Sequence, residues 1–205
     1  MSSIDLWYTT RATGLVALVL LTSTMLLGIL TAGRAPSTLP GFARAEVHRR
    51  ISVLTITFLA IHVLTAVLDT YVHINPMAVL IPFTANYHPL WLALGTIGVD
   101  LFLAVAISSA VRQKIPVRVW RFVHWLAYLS WPVAVAHTLG MGTDMRLAWA
   151  LGLVTVCIAA VVGLTCWRLL RCMRTKALAP RTVLAPRAAI RASINLDSRT
   201  KGAMS

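Results

Sequence analysis

Two apolar stretches of this sequence each hold two histidines, His48 and His62 in one and His124 and His137 in the other. An imidazole ring nitrogen binds transition metals. Inside a membrane an ionisable group is costly, so each of these residues needs a partner or a task. The separations are 14 and 13 residues. At 1.5 Å per residue, each pair spans about 20 Å of helix axis. If the two stretches are parallel helices, His48 lies level with His124, and His62 with His137. Two bis-histidine haems fit that arrangement, one above the other, each six-coordinate and close enough for stepwise electron transfer. The bland account of any single histidine is a hydrogen-bonded packing residue, but four at matched depths argue against coincidence.

The angular phase is the demanding part of this picture. At about 100° per residue, 14 residues return to within about 40° of the starting face, whereas 13 miss it by about 140°. Pro132 lies between His124 and His137 and cannot donate to the carbonyl of Tyr128, so a kink there offers a way to re-aim His137. The neighbours suit a porphyrin. Arg49 and Arg50 follow His48, and Arg121 precedes His124 by one turn, where guanidinium groups would meet haem propionates. The same arginines also serve as topology-setting charges. Gly14 and Gly28 repeat the 14-residue interval in the first apolar stretch, where a missing side chain lets a flat macrocycle approach the backbone. Phe58, Trp125, Tyr128 and Trp131 fall between the two levels and read first as aromatic packing. His73 and His88 sit in a loop, and Asp100 within an apolar stretch; none has an assigned role.

The elements that position these residues follow from composition. Apolar residues make up 58% of the 205, charged residues 12%, and the mean hydropathy is +0.77. A soluble domain needs more charge than this, and runs of about twenty apolar residues match a hydrocarbon core about 30 Å thick. The expected fold is an all-α integral membrane protein, a bundle of about five spans around two stacked haems. The spans are read at 12–32, 46–69, 90–111, 118–138 and 147–170. The segment Met77–Phe83, bounded by Pro76 and Pro82, is too short to span and reads as a loop or re-entrant piece.

The net charge of +13 is concentrated in loops. Arg34, Arg44, Arg49 and Arg50 follow the first span; Arg112, Lys114, Arg118 and Arg121 follow the third; Arg171, Arg174 and Lys176 follow the fifth. Residues 70–89 contain no Lys or Arg. The positive-inside rule then places the chain in the cell membrane with its N-terminus outside and its C-terminus cytoplasmic. A nucleic-acid partner is not expected, because no folded basic surface with stacking aromatics is present. The basic tail 171–205, with Leu-Ala-Pro-Arg at 178–181 and 184–187, reads as disordered and near anionic headgroups. Cys157, Cys166 and Cys172 form no metal spacing and no covalent haem-attachment motif, so the haems are expected to be held non-covalently. The N-terminus lacks the charged region of a cleavable signal.

His48-Arg49-Arg50 with His62, Tyr87-His88-Pro89-Leu90-Trp91, and the run Trp120-Arg121-Phe122-Val123-His124-Trp125-Leu126-Ala127-Tyr128 through Trp131-Pro132 to His137 carry a family resemblance. With Gly140-Met141-Gly142-Thr143-Asp144 closing the fourth span, the sequence resembles the ferric reductase-like transmembrane family over about residues 7–170, and its stand-alone bacterial members in particular. That family includes the haem domains of NADPH oxidases, of yeast-type ferric reductases and of the membrane haem subunit of bacterial methionine sulfoxide reductase systems. The resemblance implies two haems b, ligated by His48 with His124 and by His62 with His137, and electron flow across the bilayer. Many relatives have six spans where five are read here. The oxidases and ferric reductases continue into a flavin and nicotinamide domain, for which no Gly-rich phosphate loop is present. Electrons are therefore expected from a separate donor, a flavoprotein or a membrane quinol, and to pass to an acceptor protein or reductase partner. Direct reduction of a ferric chelate at the outer haem is the alternative within redox chemistry. A metal or proton transporter using the same histidines is the alternative from another class, although no internal repeat is evident and the histidines occupy two levels.

Overall fold

The computed structural model describes residues 3–32, 40–69 and 74–178. Within a bilayer no water is available to the backbone, so a spanning chain must satisfy its own N–H and C=O groups, and an α-helix does so within one segment. Six α-helices result: α1 Ser3–Ala32, α2 Gly41–Leu68, α3 Pro89–Ala110, α4 Val117–Trp125, α5 Ala127–Met141 and α6 Ala148–Leu178. Four of them, α1, α2, α3 and α6, are long and apolar enough to cross a membrane. The protein is an all-α, multi-pass membrane protein. Large apolar side chains cover its outside, among them Phe42, Phe122, Trp125 and Val156, all well exposed. On a protein in water such a surface would drive association; in lipid it is the solvated face.

The chain divides into two compact units, residues 1–167 and 168–205. In the first, α1 packs along α2 and α5, and α3 along α5 and α4. Leu18 and Ile29 of α1, Trp131 and Val135 of α5, and Val154 and Val161 of α6 form the core. One buried polar contact fixes its register: Trp131 Nε1 donates to Thr22 Oγ1 at 3.0 Å. Thr22 in turn donates to the Leu18 carbonyl at 2.8 Å, so neither hydroxyl nor indole is left unmet in the apolar interior. Near the N-terminal end of α1, Arg11 pairs with Asp144, just beyond α5, and lies 4.1 Å over the Trp7 ring.

Several boundaries differ from the sequence reading. Helix α1 begins nine residues before the expected Ala12, because Arg11 is neutralised by Asp144 and need not stay outside the helix. The segment read as the fourth span is two helices meeting at Leu126, neither of them long enough by itself to rank with the four membrane-crossing helices. There Leu126 N donates to the Val123 carbonyl at 2.9 Å and Leu129 N to the Leu126 carbonyl at 3.0 Å, a local tightening to three-residue turns. Pro132, where a kink would offer a way to re-aim His137, lies inside α5. The Met77–Phe83 segment is a short 3₁₀ turn, Pro76–Val79, and a loop. Asn75 caps the turn through Met77 N at 3.0 Å, and Thr96 Oγ1 ties its Ala78 carbonyl to α3 at 2.6 Å. Helix α6 extends beyond the expected Leu170 to Leu178. His73, Arg34 and the tail after Leu178 lie outside the described residues.

Candidate functional site: two histidine pairs

The four histidines meet in pairs, His48 with His124 and His62 with His137, as depth arithmetic along α2 and the α4–α5 segment requires. In each pair the ring centroids are 6.4 Å apart, with the ring planes at 62° in the first and 78° in the second. A metal–imidazole bond is about 2.0 Å and a ring nitrogen lies about 1.1 Å from its ring centre, so two imidazoles that shared one iron from opposite sides would have centres about 6.2 Å apart. Both pairs meet that spacing.

The His62–His137 pair is built by the same device twice. His62 Nδ1 lies 2.8 Å from the Thr10 carbonyl on α1, and His137 Nδ1 lies 2.8 Å from the Trp91 carbonyl on α3. A carbonyl oxygen only accepts, so each Nδ1 carries the proton and each Nε2 presents its lone pair. Four residues after each acceptor carbonyl stands a glycine. A Cβ on Gly14 would come within 2.8 Å of the His62 ring, and one on Gly95 within 2.6 Å of the His137 ring. The two rings are thus seated in notches of α1 and α3, oriented toward a cavity of about 290 Å³ bordered by Leu59, Val99 and Phe102.

The His48–His124 pair is held more loosely. Trp120 stacks on His124, centroids 5.1 Å apart and planes at 25°. Gly28 faces His48 at a looser 3.9 Å. The His48 ring is turned toward the Thr24 backbone, four residues before Gly28, whereas Nδ1 of His124 is buried without a hydrogen-bond partner among the described residues, and so are Nε and Nη1 of Arg44 and Nε1 of Trp120.

This donor set suits a metal that brings its own equatorial ligands. No group of three or more His, Cys, Asp or Glu side chains able to hold a metal ion converges among the described residues. A bare zinc or copper ion takes three or four protein ligands, whereas two axial imidazoles complete an iron already held by a porphyrin. Residues 13–135 match the model of the family described as ferric reductase like transmembrane component. The chain belongs to that family. No curated protein and no solved structure matches the chain. The ferric reductase-like match covers three of the four histidines and ends two residues before His137, so it is the structure that brings His137 into the site.

The other expected site residues fall as follows. Gly14 and Gly28 do belong to the two pairs, but the atoms they make room for are imidazole atoms of His62 and His48. Arg49 and Arg50 are exposed and engage Glu46, Arg49 at 3.0 Å and Arg50 at 2.7 Å. Arg121 is exposed on α4. Asp100 is exposed on α3, and His88, at the N-cap of α3 with φ of 40°, packs against the Tyr87 ring. Gly95 and Thr10 were not singled out in the sequence, Trp91 and Trp120 entered only as motif residues, and Arg44 only as a loop charge. Spacing carries a signal for four of them: Arg44 and Trp120 lie four residues from a ligand, and Thr10 and Trp91 four residues from a seating glycine.

Proposed function

We propose that this chain conducts electrons across the bilayer through two bis-histidine b-type haems, an inner one on His48 and His124 and an outer one on His62 and His137. The observation that carries the reading is the pair of matched 6.4 Å imidazole separations, at two levels of the same two segments. Bound there, haem iron supplies a reversible one-electron couple. The protein's part would be to hold each haem iron between two imidazoles, His48 with His124 and His62 with His137, which suits electron transfer rather than dioxygen chemistry. The Thr10 and Trp91 carbonyls fix the outer imidazoles as Nδ1–H tautomers and make their Nε2 better donors. The apolar walls exclude water and thereby lower the reorganisation that each change of charge demands.

The levels lie about 20 Å apart along the helix axes, so together they bridge most of a hydrocarbon core about 30 Å thick. The arginine-rich loops put the His48–His124 level on the cytoplasmic side of the cell membrane. A separate flavoprotein or membrane quinol supplies electrons there, and an acceptor protein or reductase partner takes them at the outer level. Transport of a bare metal ion by the histidines would need a three- or four-ligand cluster, and none converges among the described residues. The test is transmembrane electron transfer in vesicles carrying the purified protein, with ascorbate inside and ferricyanide outside. The proposal expects oxidation of the internal reductant to depend on the protein and to be lost in His62→Ala and in His124→Ala. Transfer at the wild-type rate in both variants would refute it.

A further inference from the structure

Arg44 stands one turn before His48 on α2, and Trp120 one turn before His124 on α4. Side chains four apart share a helix face, so both residues lie beside the inner pair, on its loop side. Each carries N–H donors that are buried with no acceptor among the described residues: Nε and Nη1 of Arg44, and Nε1 of Trp120. That is unlike Arg49 and Arg50, whose side chains are 72% and 75% exposed and already occupied by Glu46. A topology-setting arginine keeps its head in water, as these two do. A buried guanidinium edge without an acceptor points to an anion, and Nε with Nη1 is the edge that meets a carboxylate with two parallel hydrogen bonds. The Arg112 guanidinium, 4.7 Å over the Trp120 ring, adds a second positive charge to the same corner.

We propose that Arg44 and Trp120 are the carboxylate clamp of the inner haem site. They receive the porphyrin propionates, with Arg112 as electrostatic support, while Arg49, Arg50 and Arg121 take no part. The inference rests on the haem reading above and deepens it. The clamp sets the haem's orientation, propionates toward the cytoplasmic loops, and it also sets potential. Reduction adds an electron beside the carboxylates, so a neutralising guanidinium favours the ferrous state. Without it the carboxylate charge opposes reduction, unless the carboxylate takes up a proton.

The test uses the full-length protein with both haems, titrated redox-potentiometrically, together with resonance Raman of the propionate bending band. The inner haem's step is the one lost in His124→Ala. In Arg44→Ala the inner midpoint should fall by about 60 mV, a tenfold shift for a one-electron couple. It should also become pH-dependent near neutrality, while the outer midpoint stays in place. Trp120→Phe keeps the ring on His124 but removes the N–H, so it should move the propionate band with a smaller change in potential. Arg49→Ala and Arg50→Ala should move neither. If Arg44→Ala does not fold, Arg44→Lys keeps the charge but loses the two-bond edge and should shift the band alone. An inner midpoint and propionate band indifferent to Arg44 and Trp120, in protein that holds two haems, overturns the clamp. Wild-type protein that binds no haem overturns the parent reading instead.

Discussion

Replacing Gly95 by alanine tests the seating of the outer imidazoles. The added methyl would stand 2.6 Å from Cε1 and 2.7 Å from Nδ1 of His137, where ordinary contact begins near 3.4 Å, so the ring must retreat by about 0.8 Å. It has no soft way to do so. The ring is rigid, its Nδ1 is held by the Trp91 carbonyl at 2.8 Å, and Gly95 itself sits on a continuous helix. Overpacking of this kind costs about 1–3 kcal/mol. If that cost falls on the ligating geometry, outer haem affinity drops by about 5- to 150-fold at 1.4 kcal/mol per factor of ten. Gly28→Ala is the internal contrast, because 3.9 Å to His48 leaves room for a methyl and the inner site should keep its haem. The assay is haem content per chain after equilibration against a haem-scavenging apoprotein. Gly95→Ala should lose one haem selectively, and Gly28→Ala none. Two haems retained with equal tenacity in both variants would show that the glycines do not seat the rings.

Further consequences concern packing and surface charge. Trp131→Phe removes the buried donor to Thr22 and leaves that hydroxyl with only its own-helix acceptor, so stability in detergent should fall by about 1–3 kcal/mol without loss of haem, read from thermal unfolding. Thr96→Val removes the hydroxyl bond to the Ala78 carbonyl and should loosen the Pro76–Val79 turn by about 1 kcal/mol, seen as faster hydrogen exchange at residues 76–80. Glu46→Gln severs exposed pairs with Arg49 and Arg50 and should leave the thermal unfolding midpoint in detergent essentially unchanged at physiological salt.

Membrane character was legible in the sequence because span length and charge placement are set by the bilayer itself, whatever the family. The histidine pairing was legible because depth along a helix is a matter of counting residues. The re-aiming of His137 was not. Pro132 looked like the cause, yet a proline is tolerated inside a membrane helix, and the break falls at Leu126 among residues that favour helix. Trp125-Leu126-Ala127 carries no Gly or Pro to mark a tightened turn. The basic residues show a different failure. Arg49 and Arg50 adjoin His48 in sequence, but one or two residues along a helix is the wrong face, and Arg44, four residues back, shares the face of the ligand. Gly95 escaped notice because glycine is common in membrane helices. Its meaning emerges only with the Trp91 carbonyl and the His137 ring beside it.

The most direct test of the central claim is a haem count with an absorbance spectrum on the purified protein and its histidine variants. Two b-type haems per chain are predicted, low-spin in both oxidation states, falling to one in His62→Ala or His137→Ala and again to one in His48→Ala or His124→Ala. A haem-free protein that binds zinc stoichiometrically, or a haem complement unchanged by these four substitutions, would contradict it.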